Sequence, residues 1–304
     1  MGNTLKEIES KLMDLPDAVR KFIEDGSHIA MAGFAITRNA MALAHEIIRQ
    51  GKRNLILSES IGDMALDLMV GAGVVKEVNY GGGSLDRLGR IDCVNRAIVE
   101  KKIKVNEYSN FSMVSRFLGG ALGLTFIPTK SMIESDMFKI LKDRGEATEI
   151  VCPFTGEKYV ALRTLRPDVA IVHAQVADTD GNIYIYGPKF DIKEVVFASS
   201  KVLITVEEIV PKERISRDLI YIPNYRVDAI VPRPFGAYPT NLYGHYYHDE
   251  EHIRSYAKMQ CEDEPFRKYL EENILGVDSF DEFLKKHVTA EKMLRLIYLA
   301  KTLV

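Results

Sequence analysis

The feature that most limits what this chain can become is the alternation of short apolar runs with helical patterns through its first half. Residues 28–32 (HIAMA) form a brief strand-like run that meets Gly33, and residues 39–50 repeat Leu43, Ile47 and Ile48 on one face before Gly51. Residues 54–57 and 76–80 read as further strands, the second running into Gly81-Gly82-Gly83. A helix over 91–102 with Ile91, Val94 and Ile98 apolar, a strand over 105–109, a helix over 112–122 and a strand over 124–127 continue the series. Strands joined through helices lie parallel, because each crossover returns the chain to the same end of the sheet. The expected class is therefore α/β, with an open, mostly parallel sheet.

The second half departs from the pattern. Residues 168–174 are apolar throughout their middle, as suits a central strand buried on both faces. Asp178-Thr179-Asp180-Gly181 supplies turn chemistry before residues 182–186, which predicts a hairpin. A helix over 192–200 and strands over 202–206 and 228–231 follow, then a loop over 232–247 rich in Pro, Gly and Tyr. From about 249 onward the pattern is helical and amphipathic. Residues 4–25 also keep helical period through Leu5, Ile8, Leu12, Leu15, Val19 and Ile23, interrupted at Pro16. No repeat or linker divides the sequence, so one domain over 1–304 with a C-terminal helical extension is expected.

Charge and cysteine content narrow the partners. A net charge of -3 gives no electrostatic reason to bind nucleic acid or an anionic membrane, so any anion site is built locally. Cys93, Cys152 and Cys261 have neither zinc-site nor disulfide-framework spacing, which fits a reducing cytoplasm. No apolar run approaches the ~20 residues of a membrane span, and MGNTLKEIESKLMDL lacks an apolar signal core. A soluble, cytoplasmic protein is expected.

Candidate functional residues cluster at predicted strand ends, the usual ligand position of open α/β sheets. In Ala32-Gly33-Phe34-Ala35-Ile36-Thr37-Arg38 a strand runs through a glycine turn toward a helix. This aims free N–H groups at an anion or oxyanion, with Thr37 and Arg38 beside them. The plainer alternative is an ordinary turn with a surface arginine, and the remaining glycines of a dinucleotide fingerprint are missing. Gly81, Gly82, Gly83 and Ser84 read either as a close-approach ligand loop or as a flexible one. Asn110 reads as a helix N-cap or as an amide aimed at a substrate oxygen. Gln175, with His173, marks a buried strand end. Glu59 is either a carboxylate nucleophile or, by the favoured reading, a solvated side chain near a helix start. Gly119-Gly120 suggests close packing, and His245, His248 and His252 read as structural, with no metal expected.

Four segments, HIAMAGFAITRNAMALAHEIIRQG (28–51), NEYSNFSMVSRFLGGALGLTFIPT (106–129), DVAIVHAQVADTDGNIYIYG (168–187) and DAIVPRPFGAYPTNLYGHY (228–246), occur in an order that resembles CoA-transferase family I. The similarity is to its A-type (alpha) subunits of the glutaconate kind. The resemblance implies a three-layer α/β/α fold of the NagB/RpiA/CoA-transferase type and a B-type (beta) partner subunit. That partner brings the catalytic Glu in a heterotetramer or larger assembly. It implies acyl-CoA and a carboxylic acid, dicarboxylic acids included, as substrates, with coenzyme A arriving as a thioester and no permanently bound cofactor. Gly33 and Phe34 would then line the cleft with Thr37, Arg38, Gly81, Gly82, Gly83, Ser84 and Gln175, while Asn110 would orient the substrate. Two departures stand out: Ala32-Gly33-Phe34 replaces Gly-Gly-Phe, and Ser58-Glu59-Ser60-Ile61-Gly62 is similar to the B-type nucleophile segment. Two other readings share this fold, a ring-opening hydrolase of CoA thioesters from steroid breakdown and a non-catalytic acyl-CoA-binding subunit.

Overall fold

Parallel pairing dominates the computed structural model, which describes residues 10–302. Helix α1 (Leu15–Phe22) precedes β1 (His28–Met31), α2 (Met41–Arg49), β2 (Leu55–Glu59), α3 (Met64–Gly71) and β3 (Val75–Tyr80). Then come α4 (Asp92–Val99), β4 (Lys104–Glu107), α5 (Asn110–Ala121), β5 (Phe126–Thr129), α6 (Asp136–Asp143), β6 (Ala147–Val151) and β7 (Lys158–Arg163). The chain continues through β8 (Val169–Asp178), β9 (Ile183–Tyr184), α7 (Ile192–Ala198), β10 (Lys201–Val210) and β11 (Ala229–Pro232). It ends in α8 (Glu250–Met259), α9 (Asp263–Leu270), α10 (Phe280–His287) and α11 (Ala290–Thr302).

Eight strands form the main sheet in the order β11-β10-β8-β1-β2-β3-β4, with β9 alone antiparallel, on β8. The chain leaves β1 toward β2 and later returns to place β8 on its other side, so a switch point lies at the carboxyl ends of β1 and β8. Alternate side chains build two cores. Ile29, Met31, Val169 and Ile171 join the cluster under α1–α4 and the C-terminal helices, whereas Ala30, Ala32, Ala170 and Val172 join the one under α5 and α7. Three layers result.

Several expectations need correction. The run at 124–127 does not extend the parallel set. Strand β5 instead joins β6 and β7 in a separate antiparallel sheet of order β5-β7-β6. Helix α3 escaped the periodicity reading because Met64 through Val70 are buried all round, so there is no polar face to alternate with. Pro16 starts α1 rather than interrupting a helix, and Leu12 and Met13 are extended, bridging to Ile230. Leu5 and Ile8 lie outside the described residues.

The C-terminal helices pack on α2 and α3. Gly71 lies against Phe266, and His45 is enclosed by Phe280 and Phe283. The Asp67 carboxyl accepts from Tyr256 Oη at 2.6 Å and from the Val94 N–H at 3.0 Å, tying α3 to α8 and α4. Gly119 and Gly120 hold α5 close to the chain before β8. A Cβ on Gly120 would stand 1.8 Å from the Leu165 carbonyl oxygen.

Two outcomes follow from this packing. Gly120→Ala gains about 1 kcal/mol of intrinsic helix propensity, yet the main-chain clash reverses the sign. A net loss of about 1–3 kcal/mol is expected, read as a lowered midpoint of urea unfolding. His45 is completely buried with neither ring nitrogen hydrogen-bonded, and burial holds its pKa well below the ordinary value; burial likewise pushes His252 down to about 3. Depressed imidazoles give stability that is present above their unfolded pKa near ~6.5 and is lost as pH falls below it, at about 1.4 kcal/mol per pH unit per group. Buried Asp67, raised to about 7, carries the opposite sign, so a local probe is needed. Hydrogen exchange should show residues 250–302 losing protection between about pH 7 and about pH 5, and His45→Leu should blunt that loss.

Candidate active-site edge

Register brings the carboxyl ends of four strands side by side: Ala30 pairs with Ser58, Glu59 with Tyr80, and Tyr80 with Glu107. The turns that leave these ends therefore meet. Gly62 N–H donates to the Gly82 carbonyl at 2.8 Å, and Ser84 N–H to the Gly62 carbonyl at 3.2 Å. A Cβ on Gly81 would fall 2.4 Å from the Ser60 carbonyl oxygen and 2.7 Å from Asn110 Cα; on Gly83 it would fall 2.8 Å from the Gly62 carbonyl oxygen. Gly81-Gly82-Gly83 is thus a packed loop rather than a floppy one, and Gly82, at φ +88°, leaves its outer side open.

Asn110 opens α5 but does not cap it. Ser109 is the cap, its Oγ accepting from the Ser112 N–H at 3.1 Å. The Asn110 side chain is exposed and has no hydrogen-bond partner among the described residues. A free amide at a helix start, beside a glycine loop, is a ready donor to a ligand oxygen.

The Gly33-Phe34 turn differs from its sequence reading. Helix α2 starts only at Met41, and the Phe34 N–H donates back to the Thr37 carbonyl while the Thr37 N–H donates to that of Phe34. Thr37 Oγ1 accepts from Asn241 Nδ2 at 3.2 Å. Arg38 is no surface residue: 1% exposed, it donates to the carbonyls of Tyr186 at 2.9 Å and Pro188 at 2.7 Å, and burial lowers its pKa to about 10. It fastens residues 186–190 over the turn, where Phe190 stacks on Phe34 with centroids 4.3 Å apart. Gln175 is buried and fully engaged, donating to the Tyr186 and Tyr243 carbonyls and accepting from the Tyr186 N–H. His173 sits in the core between Thr205 and Glu207.

Glu59 overturns its favoured reading as a solvated side chain, being 0% exposed at the end of β2. Burial, then the adjacent Asp63, raises its pKa well above the ordinary carboxylate range; burial also lifts Asp63 and Asp191 to about 6. A Cβ on Gly33 would meet Asp63 Oδ2 at 2.1 Å, Asn39 Nδ2 at 2.8 Å and Glu59 Oε1 at 3.1 Å. The sequence reading missed Asn39, Asp63, Asp191 and Phe190. Asp63 carried a usable signal as a capping acid before the apolar run 64–70. Asp191 and Phe190 come from a distant segment and carried none.

The edge is open. Phe34, Gly81, Gly82, Gly83 and Ser84 are half-buried, and Asn110 is exposed. Among the described residues no group of three or more His, Cys, Asp or Glu is placed to hold a metal ion. His252 instead bonds Tyr269 Oη at 2.9 Å.

This geometry has relatives. The chain is 33% identical to the A subunit of glutaconate CoA-transferase of Acidaminococcus fermentans, over 91% of this chain and 92% of that one. The crystal structure of glutaconate coenzyme A-transferase from the same organism superposes with a TM-score of 0.88, covering 94% of this chain and 95% of that one at 31% identity. Identity to the A subunit of 3-oxoadipate CoA-transferase of Pseudomonas knackmussii is 31%, over 91% of this chain and 98% of that one. An uncharacterized Archaeoglobus fulgidus protein is 34% identical over 93% of this chain, which spans 63% of its length. The coenzyme A transferase family model matches residues 12–233 and so takes in every strand of the main sheet; the chain belongs to that family.

Proposed function

We propose that this chain is the A-type subunit of a heteromeric CoA-transferase, moving CoA from an acyl-CoA to a carboxylic acid, dicarboxylic acids among them. One observation carries the reading. The chain offers a free amide, Asn110, on an open edge, while its own candidate nucleophile, Glu59, is sealed beneath that edge, where burial and then Asp63 raise its pKa. A carboxyl with no path to a thioester cannot attack one. The attacking carboxylate therefore comes from a B-type partner, in a heterotetramer or larger complex, and the cytoplasm is the setting that the cysteine usage favours.

The chemistry is covalent and ping-pong. The partner's carboxylate attacks the thioester carbonyl and CoA leaves as the thiolate, giving an acyl anhydride. The thiolate then attacks the glutamyl carbonyl, releasing the first acid and leaving a glutamyl-CoA thioester. The acceptor carboxylate reverses both steps, so CoA is a travelling substrate and no resident cofactor is required. Each addition places negative charge on a carbonyl oxygen. The Asn110 amide and the open side of the Gly82 turn supply donors and close main-chain approach for that oxygen.

A hydrolase would need a base at the edge to activate water, and an amide takes no proton at neutral pH. The decisive assay compares the purified chain alone with the chain plus its B-type partner. Activity that requires both the partner and an acceptor acid supports the transferase. Turnover with water alone as acceptor supports the hydrolase. Asn110→Ala in the assembled complex should lower turnover at least ~10-fold, since one well-placed oxyanion donor is worth ~2.7–4 kcal/mol; unchanged kinetics would remove Asn110 from the site.

A further inference from the structure

Beneath the open edge lies a group of buried carboxyls whose hydrogen bonding is incomplete. Glu59 Oε2 accepts from the Asp63 N–H at 3.2 Å, and Asp63 Oδ1 accepts from the Leu66 N–H at 2.8 Å as the cap of α3. Each acid is left with one buried oxygen, Glu59 Oε1 and Asp63 Oδ2, that has no donor among the described residues. These two oxygens converge on one point, 3.1 Å and 2.1 Å from where a Gly33 Cβ would stand. The groups acting on them are Asn39 from the turn and Asp191, itself hydrogen-bonded to Ser60, with Glu194 behind Asp191. None of these is a cation, and the nearby Arg38 turns its guanidinium to the Tyr186 and Pro188 carbonyls instead.

Two acceptors that meet in a dry site with no cation cannot both carry charge. A proton between them gives each its missing partner, as in paired carboxyls that share one proton.

We propose that Glu59 and Asp63 form a positioning pair that shares one proton and thereby holds the Gly33 and Gly81 turns in the arrangement the cleft uses. The mechanical path is short. Gly33 rests on both carboxyls, Glu59 leads into Ser60, the Ser60 carbonyl abuts Gly81, and Gly81 abuts the Asn110 main chain. Loss of the proton puts a second negative charge into the pair, which repels and pushes these turns apart. The protonated form is the competent one, so the pair switches the edge off as pH rises. Glu59 then acts as an acid that keeps its proton rather than as a nucleophile.

The inference rests on the transferase reading for its kinetic test only, and a second test needs no activity. Infrared difference spectra of the purified full chain, wild type minus Glu59→Gln, should show at neutral pH the carbonyl stretch of a protonated carboxyl that the variant lacks. In the assembled complex, wild-type turnover should fall about tenfold one pH unit above an alkaline midpoint, with KM little changed. Glu59→Gln, neutral at every pH and able to donate to Asp63, should keep neutral-pH turnover within about threefold and lose that alkaline fall. Asp63→Asn provides the same comparison if the first variant folds poorly. A difference spectrum without the band, an alkaline fall that survives in both variants, or abolition of turnover by Glu59→Gln would overturn the pair. A wild-type complex inert toward every acyl-CoA would instead sink the transferase reading and leave the infrared result standing.

Discussion

Parallel pairing of β1 with β2 on one side and β8 on the other fixes where the loops of the carboxyl edge emerge. Each crossover helix returns the chain to the same starting edge, so all the outgoing turns share the opposite edge. Register then decides which turns touch. Because Glu59 lies beside Tyr80 and Tyr80 beside Glu107, the residues just beyond them arrive within van der Waals reach. Three turns crowded onto one edge leave little room for side chains, which is why glycine recurs at 33, 62, 81 and 83, where an added Cβ would stand within 3.3 Å of a neighbouring atom.

Much of this was legible in the sequence, and the reason is physical. A strand buried on both faces must be apolar, and β1, β2 and β8 announce themselves that way. The carboxyl-edge position of Gly33, Gly81 and Asn110 followed from the same pattern. What stayed hidden depends on neighbours that sequence distance conceals. Arg38 looks like a surface cation until residues 186–188 fold over it, and Glu59 looks solvated until the Gly33 turn covers it. Helix α3 and the β5-β7-β6 sheet failed for opposite reasons. The first has no polar face to reveal a period, and the second is exposed enough that its apolar spacing is weak.

The polar groups of the interior sort into two kinds. Gln175, Arg38 and Asp178 are tied into the main chain: Asp178 accepts from the Asp180 and Asn182 N–H groups and from Tyr184 Oη, so the β8–β9 turn is closed by one carboxylate. Glu207 accepts from His173, Tyr246 and the Phe235 N–H, and these bonds keep it ionised against the pull of burial. Such networks fix irregular segments, here residues 186–190 and 232–249, that have no ladder of their own to hold them. Glu59, Asp63 and Asn39 are the other kind, with oxygens that no donor among the described residues reaches.

That contrast bears on how the carboxyl edge keeps its shape. The turns of an exposed edge have packing on one side only, so they are braced from below. Donors from the main chain would do this permanently, as they do for Asp178, and would make the brace indifferent to pH. A brace made from two acids and one proton is equally dry and equally close-packed, yet its strength depends on a proton that the solvent can withdraw once the edge breathes. The same burial that seals Glu59 beneath the edge also raises its pKa and so favours its protonated form. Sealing and protonation are thus one property, and both follow from a single glycine whose missing side chain lets the carboxyls approach.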